Sequence, residues 1–262
     1  MKKLIIISLF LFAACGELFA TGTDGLFIEN KGQWSDEVQY FAKFNSYNLW
    51  ITGDGLVFDI HRISKKEGEN VHKAHAFKYS FSNANDFEVV TEKSVSKVNY
   101  FIGNDESKWV RGANSFRGLT IKNLYTGIDL ILYNFAGELR YDFLVAPGNN
   151  PHQIELNIEG ADYSLRGDNL VISTSLAEII NSDLHTFSIN QSNINKVKSK
   201  FAIKDGNLKI EVGEYDTSKP LRIDPLVTSR IFGGNDYDYG EALAVDLNSN
   251  TYVAGYTYSF DF

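Results

Sequence analysis

Two acidic residues with an arginine between them form the pattern in this sequence that comes nearest to a catalytic group. Glu138 and Asp142 lie four positions apart, with Arg140 in the middle, in a segment that alternates apolar and charged residues. Residues separated by two or four positions of a strand share one face. Paired carboxylates can cleave glycosidic bonds as general acid and base. The intervening arginine instead favours cross-strand ion pairs on a solvated face.

One pair of histidines has the spacing of metal ligands. His72 and His75 would share a face of a helix, but no cysteine and no HExxH sequence accompanies them. The segment around them is predicted to be a loop that enters a strand. We therefore expect an exposed pair of histidines and no zinc site.

A second pattern imitates the start of a calcium loop. Asp246, Asn248 and Asn250 alternate as the first ligands of such a loop do. Thr251 and Thr257 occupy the positions that a calcium loop gives to the turn glycine and to the bidentate glutamate. Turn chemistry between strands explains the pattern more simply.

The remaining chemistry in the sequence is sparse. Trp34, Trp50 and Trp109 would stack on sugars if exposed, although large aromatic residues in strands more often lie in a core. No GxSxG, Walker or strand-linked GxGxxG sequence occurs, and Cys15 is the only cysteine. The sequence predicts no catalytic residue, no cofactor and no metal ligand, and hence no enzyme.

Residues 1–20 have the layout of a secretory signal peptide. Lys2 and Lys3 precede an apolar run from residue 4 to residue 14, and small residues follow. The run is too short to cross a bilayer of about 30 Å as a stable helix. Cleavage is predicted after Ala20. The alternative is cleavage before Cys15, because residues 13–16 (AACG) resemble a lipoprotein box and Cys15 would then carry a lipid anchor.

Composition limits the classes of protein to which this chain can belong. The net charge is −8, and it becomes −9 without residues 1–20, which carry two lysines and one glutamate. Nucleic-acid binding needs a basic face, so no nucleic-acid partner is expected. No apolar stretch after the leader is long enough for a membrane span. An exported chain without disulfides must depend on a large core.

The fold class follows from segments with a period of two. Residues 128–133 form a nearly continuous apolar run, whereas residues 138–145 alternate apolar and charged side chains. Asp205-Gly206-Asn207 between two alternating runs predicts a tight hairpin. Residues 64–73 are charged and predicted to be an exposed loop. The sequence predicts an all-β fold with a multi-stranded antiparallel sandwich-like domain, which ends near Pro225 because proline cannot continue a central ladder.

Five motifs in order resemble a known family. They are residues 27–34 (FIENKGQW), 99–105 (NYFIGND) followed by Trp109, 124–129 (LYTGID), 141–148 (YDFLVAPG) and 220–225 (PLRIDP). Together they resemble a domain of unknown function that precedes SBBP-type β-propeller repeats in exported proteins of Bacteroidota and their relatives. One departure is residues 181–183 (NSD), where the family pattern implies a turn that contains proline.

Residues 228–262 are similar to the first SBBP repeat, so a single partial β-propeller blade is expected to follow the domain. A single blade cannot bury both of its faces. The chain is therefore expected to be truncated or a fragment of a longer repeat protein. The alternative is that these residues form a hairpin that pairs with the main domain.

These observations predict a signal peptide at 1–20, a β-rich domain at 21–226 and a propeller repeat at 227–262. The expected function is that of a non-catalytic module, secreted or at the cell surface, which binds an unknown extracellular protein or glycan or serves as a scaffold for the propeller. The alternatives are a carbohydrate-active hydrolase that uses Glu138 and Asp142, and a structural spacer.

Overall fold

Apolar residues at every second position give most strands of this chain one buried and one outward side. In residues 138–145 the side chains of Leu139, Tyr141 and Phe143 are buried, and Arg140 between them lies on the opposite side. The computed structural model describes residues 23–66, 69–190, 193–228, 238–245 and 251–258. Within these ranges two large antiparallel sheets pack face to face, which confirms the predicted all-β, sandwich-like fold.

The described strands, in chain order, are β1 (Phe27–Glu29), β2 (Val38–Lys43), β3 (Asn48–Thr52), β4 (Gly55–Lys66), β5 (Glu69–Phe81), β6 (Glu88–Thr91), β7 (Ser96–Tyr100), β8 (Val110–Phe116), β9 (Gly118–Tyr125), β10 (Ile128–Phe135), β11 (Glu138–Val145), β12 (Glu155–Glu159), β13 (Asp162–Arg166), β14 (Asn169–Ser173), β15 (Glu178–Asn190), β16 (Asn193–Val197), β17 (Ser199–Lys204), β18 (Asn207–Val212), β19 (Leu221–Thr228), β20 (Asp238–Val245) and β21 (Thr251–Thr257). Two short 3-10 helices span Glu106–Lys108 and Pro151–Gln153. The part of the chain that the structure describes contains no helix long and apolar enough to cross a membrane.

The strands form two large sheets and one small one. Sheet I has the order β17–β18–β12–β5–β4–β3–β2–β1–β8–β7. Sheet II has the order β13–β14–β15–β19–β11–β10–β9–β6, with β16 also paired to β15. Sheet III consists of β20 and β21, which pair only with each other among the described strands. For the described residues 238–245 and 251–257, the alternative of a hairpin that pairs with the main domain is therefore not supported.

The predicted hairpin at residues 205–207 is confirmed. Lys204 pairs with Asn207, so Asp205 and Gly206 form a two-residue turn between β17 and β18. Both turn residues have positive φ, 53° and 79°. This is the backbone that two-residue hairpin turns require, and glycine adopts it without strain.

The predicted loop over residues 64–73 is wrong for the described residues 64–66 and 69–73. They belong to the long strands β4 and β5, in which Gly55 pairs with Ser80 and Lys66 pairs with Glu69. The neighbouring strands β3 and β12 pair with this hairpin only near its base, at residues 56–59 and 78–81. Neither of them reaches the outer part of the hairpin.

The expectation that Pro225 interrupts a central ladder is wrong, since β19 continues through it to Thr228 in the middle of sheet II. The pairing of β19 with β11 stops at Ile223, and the pairing with β15 shifts register beside Pro225, so the missing N–H is accommodated. Residues 181–183, where the sequence departs from the proline-containing turn of the family pattern, lie inside β15.

The core between the sheets is one continuous apolar cluster. Its largest fully buried side chains include Phe27 and Leu49 from sheet I and Phe143 and Leu130 from sheet II. Asn181 is buried among them, where it accepts from the Tyr141 hydroxyl and donates to the Tyr79 hydroxyl, both at 3.4 Å. Because Tyr79 belongs to β5, this amide links the two sheets.

A smaller apolar cluster lies on the outer face of sheet I. Residues 30–37 cross this face and place Trp34 against Phe41, Trp50 and Tyr100, with ring centroids 5.1, 5.7 and 5.3 Å away. Ile28 is buried beneath. The segment gives sheet I a cover of its own.

Asn30 holds this covering segment in shape. Its Nδ2 donates to the carbonyl oxygens of Trp34, Ser35 and Val38 at 3.4, 2.9 and 2.8 Å. Its Oδ1 accepts from the backbone N–H groups of Gly32 and Trp34 at 3.0 and 3.3 Å. One side chain thus satisfies five backbone groups that the irregular segment leaves without strand partners.

Replacing Asn30 by alanine is expected to lower the free energy of unfolding by about 2–3 kcal/mol, since several partly buried hydrogen bonds of about 1 kcal/mol each are lost. Urea unfolding followed by tryptophan fluorescence measures this. Asn104→Ala is the control, because Asn104 is exposed, and it should change stability by less than about 0.5 kcal/mol. Equal effects of the two substitutions would contradict the role given to Asn30.

Candidate functional site

The three residues singled out on β11 share the outer face of sheet II, as expected. Glu138 and Arg140 are half-buried, but Asp142 is almost completely buried, with 1% of its surface exposed. Glu138 and Asp142 are four positions apart on an extended strand, so their Cα atoms are about 13 Å apart. Glycosidase carboxylates stand roughly 5–10 Å apart, so the predicted pair does not have the spacing that glycosidic cleavage needs.

Asp142 contacts a charged partner on the neighbouring strand. The Arg222 Nη2 atom of β19 donates to Asp142 Oδ2 at 2.6 Å and to the Tyr133 hydroxyl at 3.2 Å. Asp142 Oδ1 is buried and has no hydrogen-bond partner among the described residues. The ion pair therefore satisfies one oxygen of the carboxylate and leaves the other without a donor.

A second carboxylate lies directly across the ladder. Phe143 pairs with Ile223, which places Asp142 and Asp224 at the next antiparallel position. Asp224 Oδ1 lies 3.8 Å from the Arg140 Nη1 atom. A cross-strand ion pair of Arg140 was predicted, and Asp224 is its partner. The predicted solvated face is wrong at Asp142, which is buried.

Burial and the nearby Asp224 carboxylate raise the pKa of Asp142 to about 6, against the opposing effect of Arg222. Burial, with Asp142 and Asp224 as additional causes, also raises the pKa of Tyr133. A carboxyl group that holds its proton near neutrality can donate or accept a proton. The charged cluster, defined as Tyr133, Arg140, Asp142, Arg222 and Asp224, nevertheless presents its central carboxyl to arginines and not to an open cleft.

The histidine pair does not form a ligand set. His72 and His75 lie in β5 three positions apart, so they point to opposite sides of the strand. His72 is exposed, and His75 contacts Ser175 Oγ and the Gly160 carbonyl oxygen, each at 2.9 Å. Within the described ranges no three histidine, cysteine, aspartate or glutamate side chains come together as a possible metal site.

The calcium-like pattern lies mostly outside the described residues, since Asp246, Asn248 and Asn250 fall in the gap between β20 and β21. Thr251 and Thr257 are the first and last residues of β21. A straight strand over these positions cannot curl round an ion as the second half of a calcium loop does.

The tryptophans fall into two groups. Trp34 and Trp50 are partly buried and contact each other in the outer cluster of sheet I, so their role is packing. Trp109 belongs to a different surface, which we call the aromatic patch and define as Phe101, Ile102, Trp109 and Arg111.

The aromatic patch lies where β7 ends and β8 begins. The rings of Phe101 and Trp109 meet edge to face at 5.1 Å. The guanidinium carbon of Arg111 lies 5.4 Å from the Phe101 centroid and 5.8 Å from the Trp109 centroid. Phe101 is 55% exposed and Ile102 44% exposed, so a partner can reach the apolar surface.

The loop that carries the patch is fixed by local hydrogen bonds. Trp109 Nε1 donates to the Gly103 carbonyl oxygen at 3.1 Å. Asp105 caps the short helix by accepting from the Ser107 N–H at 3.1 Å and the Ser107 hydroxyl at 2.6 Å. Gly112 N–H donates to Asn99 Oδ1 at 2.8 Å. The patch is therefore held in one geometry before any partner arrives.

Two open depressions lie elsewhere on the described surface. One, of about 460 Å³, lies beside residues 29–40, and the other, of about 690 Å³, lies between residues 148–152 and 212–217. The first includes Tyr40, whose pKa is raised by burial and by Glu29. Neither depression contains the charged cluster or the aromatic patch.

Sequence reasoning missed several of these residues. Phe101 and Ile102 lie inside the motif at residues 99–105, but only their exposure in the structure distinguishes them from core residues. Arg222 and Asp224 also stand inside a motif, and their contact with β11 depends on pairing between strands about 80 residues apart.

Comparison with known proteins gives two matches that follow each other along the chain. The family model described as a domain of unknown function (DUF7948) matches residues 27–226. The model of the SBBP β-propeller repeat matches residues 229–262. These matches confirm the resemblance predicted from the five motifs and from the repeat. No curated protein and no solved structure matches the chain.

Asp142 makes a testable contribution to the pH dependence of stability. Between the ordinary carboxyl pKa of 3.8 and about 6, the folded protein binds more protons than the unfolded chain. The free energy of unfolding therefore falls as the pH rises through this window, by about 2–3 kcal/mol for this group. Asp142→Asn should remove that fall, which urea titrations at pH 4 to 8 measure as the difference between the two proteins.

Asp224→Asn provides the matched comparison for this titration. It removes a negative charge beside Asp142, so the fall attributed to Asp142 should shrink and move to lower pH. If Asp142→Asn gave a stability profile parallel to that of the unaltered protein at every pH, Asp142 would have an ordinary pKa.

Proposed function

Because the chain belongs to the family of the domain of unknown function DUF7948, continued by an SBBP β-propeller repeat, we propose that it is an exported, non-catalytic binding module of the cell surface. In this proposal the sandwich presents the aromatic patch to an acidic protein partner. The propeller repeat follows the sandwich in the same chain. The observation that carries the proposal is the pre-formed, exposed patch.

The side chains of the patch are those that protein interfaces favour. Tryptophan and arginine are enriched among the residues that contribute most to binding energy, and large aromatic residues are enriched in interfaces generally. Trp109 and Arg111 supply these types, and the exposed Phe101 and Ile102 add apolar area. A loop that is already ordered loses little conformational entropy on binding.

The charge around the patch favours an acidic partner. Lys31, Lys97, Lys108 and Arg111 are all exposed on this edge of sheet I, and they outnumber the exposed Asp105 and Glu106 of the same loop. Lys108 lies 3.9 Å from Asp105. Lys31 Nζ donates to the Arg111 carbonyl oxygen at 3.4 Å, and Lys97 lies beside Gly112. The net charge of the whole chain is −8, so this basic edge differs from the average surface of the protein. It would attract the acidic surface of a partner.

The proposal that the module is non-catalytic is supported by the geometry of the carboxylates. Glu138 and Asp142 are too widely spaced for glycosidic cleavage. Asp142 and Asp224 are closer, but each contacts an arginine, Arg222 or Arg140. A hydrolase would need a carboxyl that faces a substrate cleft, and the charged cluster presents none in the described residues.

Export is proposed from residues 1–20, whose charged start and short apolar run are typical of a signal peptide. The mature chain would then begin at residue 21, or at a lipid-modified Cys15. In both cases the binding module lies outside the inner membrane.

The binding proposal predicts that single substitutions in the patch weaken binding. The full chain, applied to an array of purified secreted and cell-surface proteins and of neutral and acidic glycans, should bind acidic proteins. Ile102→Ser, Trp109→Ala and Arg111→Glu should each lower the affinity at least about tenfold, as expected for central interface residues. Binding should weaken as salt is added.

Ile203→Ser is the matched control for Ile102→Ser, because Ile203 is exposed to a similar extent, 39% against 44%, but lies in β17 at the opposite edge of sheet I. It should leave binding unchanged. Binding to glycans alone, or no binding to any protein on the array, would overturn the proposal.

The export proposal predicts a processed N-terminus in cells of a bacterium that exports the chain. Mass spectrometry of the mature protein should find residue 21 first, and Cys15→Ser should leave both export and the N-terminus unchanged. A lipid-modified Cys15 would support the lipoprotein alternative, and an intact leader on a cytoplasmic protein would contradict export.

A further inference from the structure

Strand β7 is the last strand of sheet I, and the aromatic patch begins at the residue that follows it. The strand pairs antiparallel with β8, and within the described ranges no strand lies on its other side. In an antiparallel pair the backbone N–H and C=O groups of alternate residues point away from the partner strand. An edge of this kind can take up a further strand.

The backbone of β7 is suited to such pairing. Its register with β8 shifts once, between Val98 and Tyr100, where β7 advances two residues and β8 advances three. The extra residue of this bulge therefore belongs to β8, in which Gly112 has a φ of 68°. Strand β7 itself stays extended over its whole length.

The opposite edge of sheet I is closed against sheet II. Strand β17 packs on β13 and β15, and the Thr186 hydroxyl of β15 donates to Ser199 Oγ of β17 at 2.7 Å. Strand β6 is the edge of sheet II that lies next to β7 in the chain, but no comparable packing joins β6 to β7 in the described ranges. The sandwich is therefore open at the edge that ends in β7.

The two sides of β7 differ in chemistry. Val98 is buried in the small outer cluster of sheet I, where Tyr100 packs against Trp34 with the ring centroids 5.3 Å apart. Lys97 and Asn99 alternate with these residues on the other side of the strand, and both are exposed. A strand added beside β7 would therefore meet apolar side chains on one side and a lysine on the other.

Exposed apolar side chains extend this edge beyond both ends of β7. Val95 precedes the strand and is 45% exposed, and Phe101 and Ile102 of the aromatic patch follow it. An extended segment that pairs with β7 would cover these side chains at its two ends. Burial of their apolar surface would add to the backbone hydrogen bonds.

Charge selects the kind of strand that fits. Lys97 is the charged residue of β7, and the exposed Glu92 and Lys93 before it cancel each other in charge. Opposite charges on adjacent strands stabilise pairing, whereas like charges directly opposite each other destabilise it. An acidic side chain is favoured beside Lys97, but a second copy of β7 paired about this residue would bring lysine against lysine.

We propose that the acidic partner binds by strand addition: an extended segment that alternates acidic and apolar residues pairs with β7 and lengthens sheet I. Its acidic side chains lie on the side of Lys97, its apolar side chains lie on the side of Val98, and the segment continues onto the aromatic patch. This inference rests on the proposed function and adds how the partner is recognised. Backbone hydrogen bonds supply affinity, and alternate side chains supply specificity.

A synthetic peptide tests strand addition on the full chain. The probe is a blocked peptide of about eight residues that alternates glutamate and valine, slightly longer than a typical strand. It should bind, and at saturation it should slow amide exchange in β7 at least about tenfold, because a hydrogen-bonded amide exchanges only when its bond opens.

The matched probe is the same peptide with every backbone nitrogen methylated. It keeps the side chains and the charge but cannot donate backbone hydrogen bonds, so it should bind at least about tenfold more weakly. Equal binding of the two peptides, no binding of the unmethylated peptide, or unchanged exchange in β7 at saturation would each overturn the proposal.

A charge reversal tests the position of the added strand. Lys97→Glu should weaken binding of the glutamate–valine peptide at least about threefold, since a favourable cross-strand pair becomes a repulsive one. Lys73→Glu is the control, because Lys73 is also an exposed lysine of sheet I but lies on β5. It changes the net charge equally and should leave binding unchanged. Equal effects of the two substitutions would overturn pairing beside Lys97.

Exchange in β7 also separates this inference from the proposed function. An acidic protein that binds the chain and loses affinity on Trp109→Ala, but leaves amide exchange in β7 unchanged, would overturn strand addition and leave the binding module standing. If no acidic protein on the array binds, both proposals fail.

Discussion

Burial of one apolar layer between two sheets is the constraint on which the rest of this domain depends. The chain has a single cysteine, Cys15, so no disulfide within the chain can hold the sheets together. Stability therefore comes from the side chains that alternate inward along both sheets, from Phe27 and Leu49 on one side to Leu130 and Phe143 on the other. At about 25 cal/mol for each Å² of buried apolar surface, such a layer is the dominant favourable contribution. Because side chains alternate along a strand, burial of the inward-facing side chains fixes the position of the outward-facing ones between them.

Tyrosine hydroxyls add directional links across this layer. Tyr79 of sheet I contacts Asn181 of sheet II, and the Tyr125 hydroxyl of sheet II donates to the Glu155 carbonyl oxygen of sheet I at 2.8 Å. Burial raises the pKa of Tyr125 to about 12, so its hydroxyl remains a donor at physiological pH. Apolar packing is non-directional, whereas each of these bonds requires one particular alignment of the two sheets. They therefore favour a single register between the sheets.

The two outer faces use their polar residues differently. On sheet I, Asn30 and Trp34 close a small second cluster, and the neighbouring loop from Phe101 to Trp109 becomes a rigid exposed edge. On sheet II, alternation places Asp142 and Arg222 outward from the central strands, where they contact each other at 2.6 Å. A buried carboxyl with a raised pKa is often a mark of catalysis, but here Arg222 pairs with it. The function proposed for the edge of sheet I is a contact with another protein.

The sequence alone determined the fold class, the hairpin at Asp205 and the order of family domain and repeat. These depend on local alternation, turn chemistry and motifs, which are readable within a few residues. It also predicted the shared face of Glu138 and Asp142, because strand geometry has a fixed period. It failed at residues 64–73 and at Pro225, where tertiary pairing overrode local composition and a register shift accommodated the missing N–H. Only the tertiary structure showed that Asp142 contacts Arg222 and that Phe101 is exposed. Both depend on how the strands assemble into sheets, because Asp142 and Arg222 are far apart in the chain and exposure of an apolar side chain is not visible in the sequence.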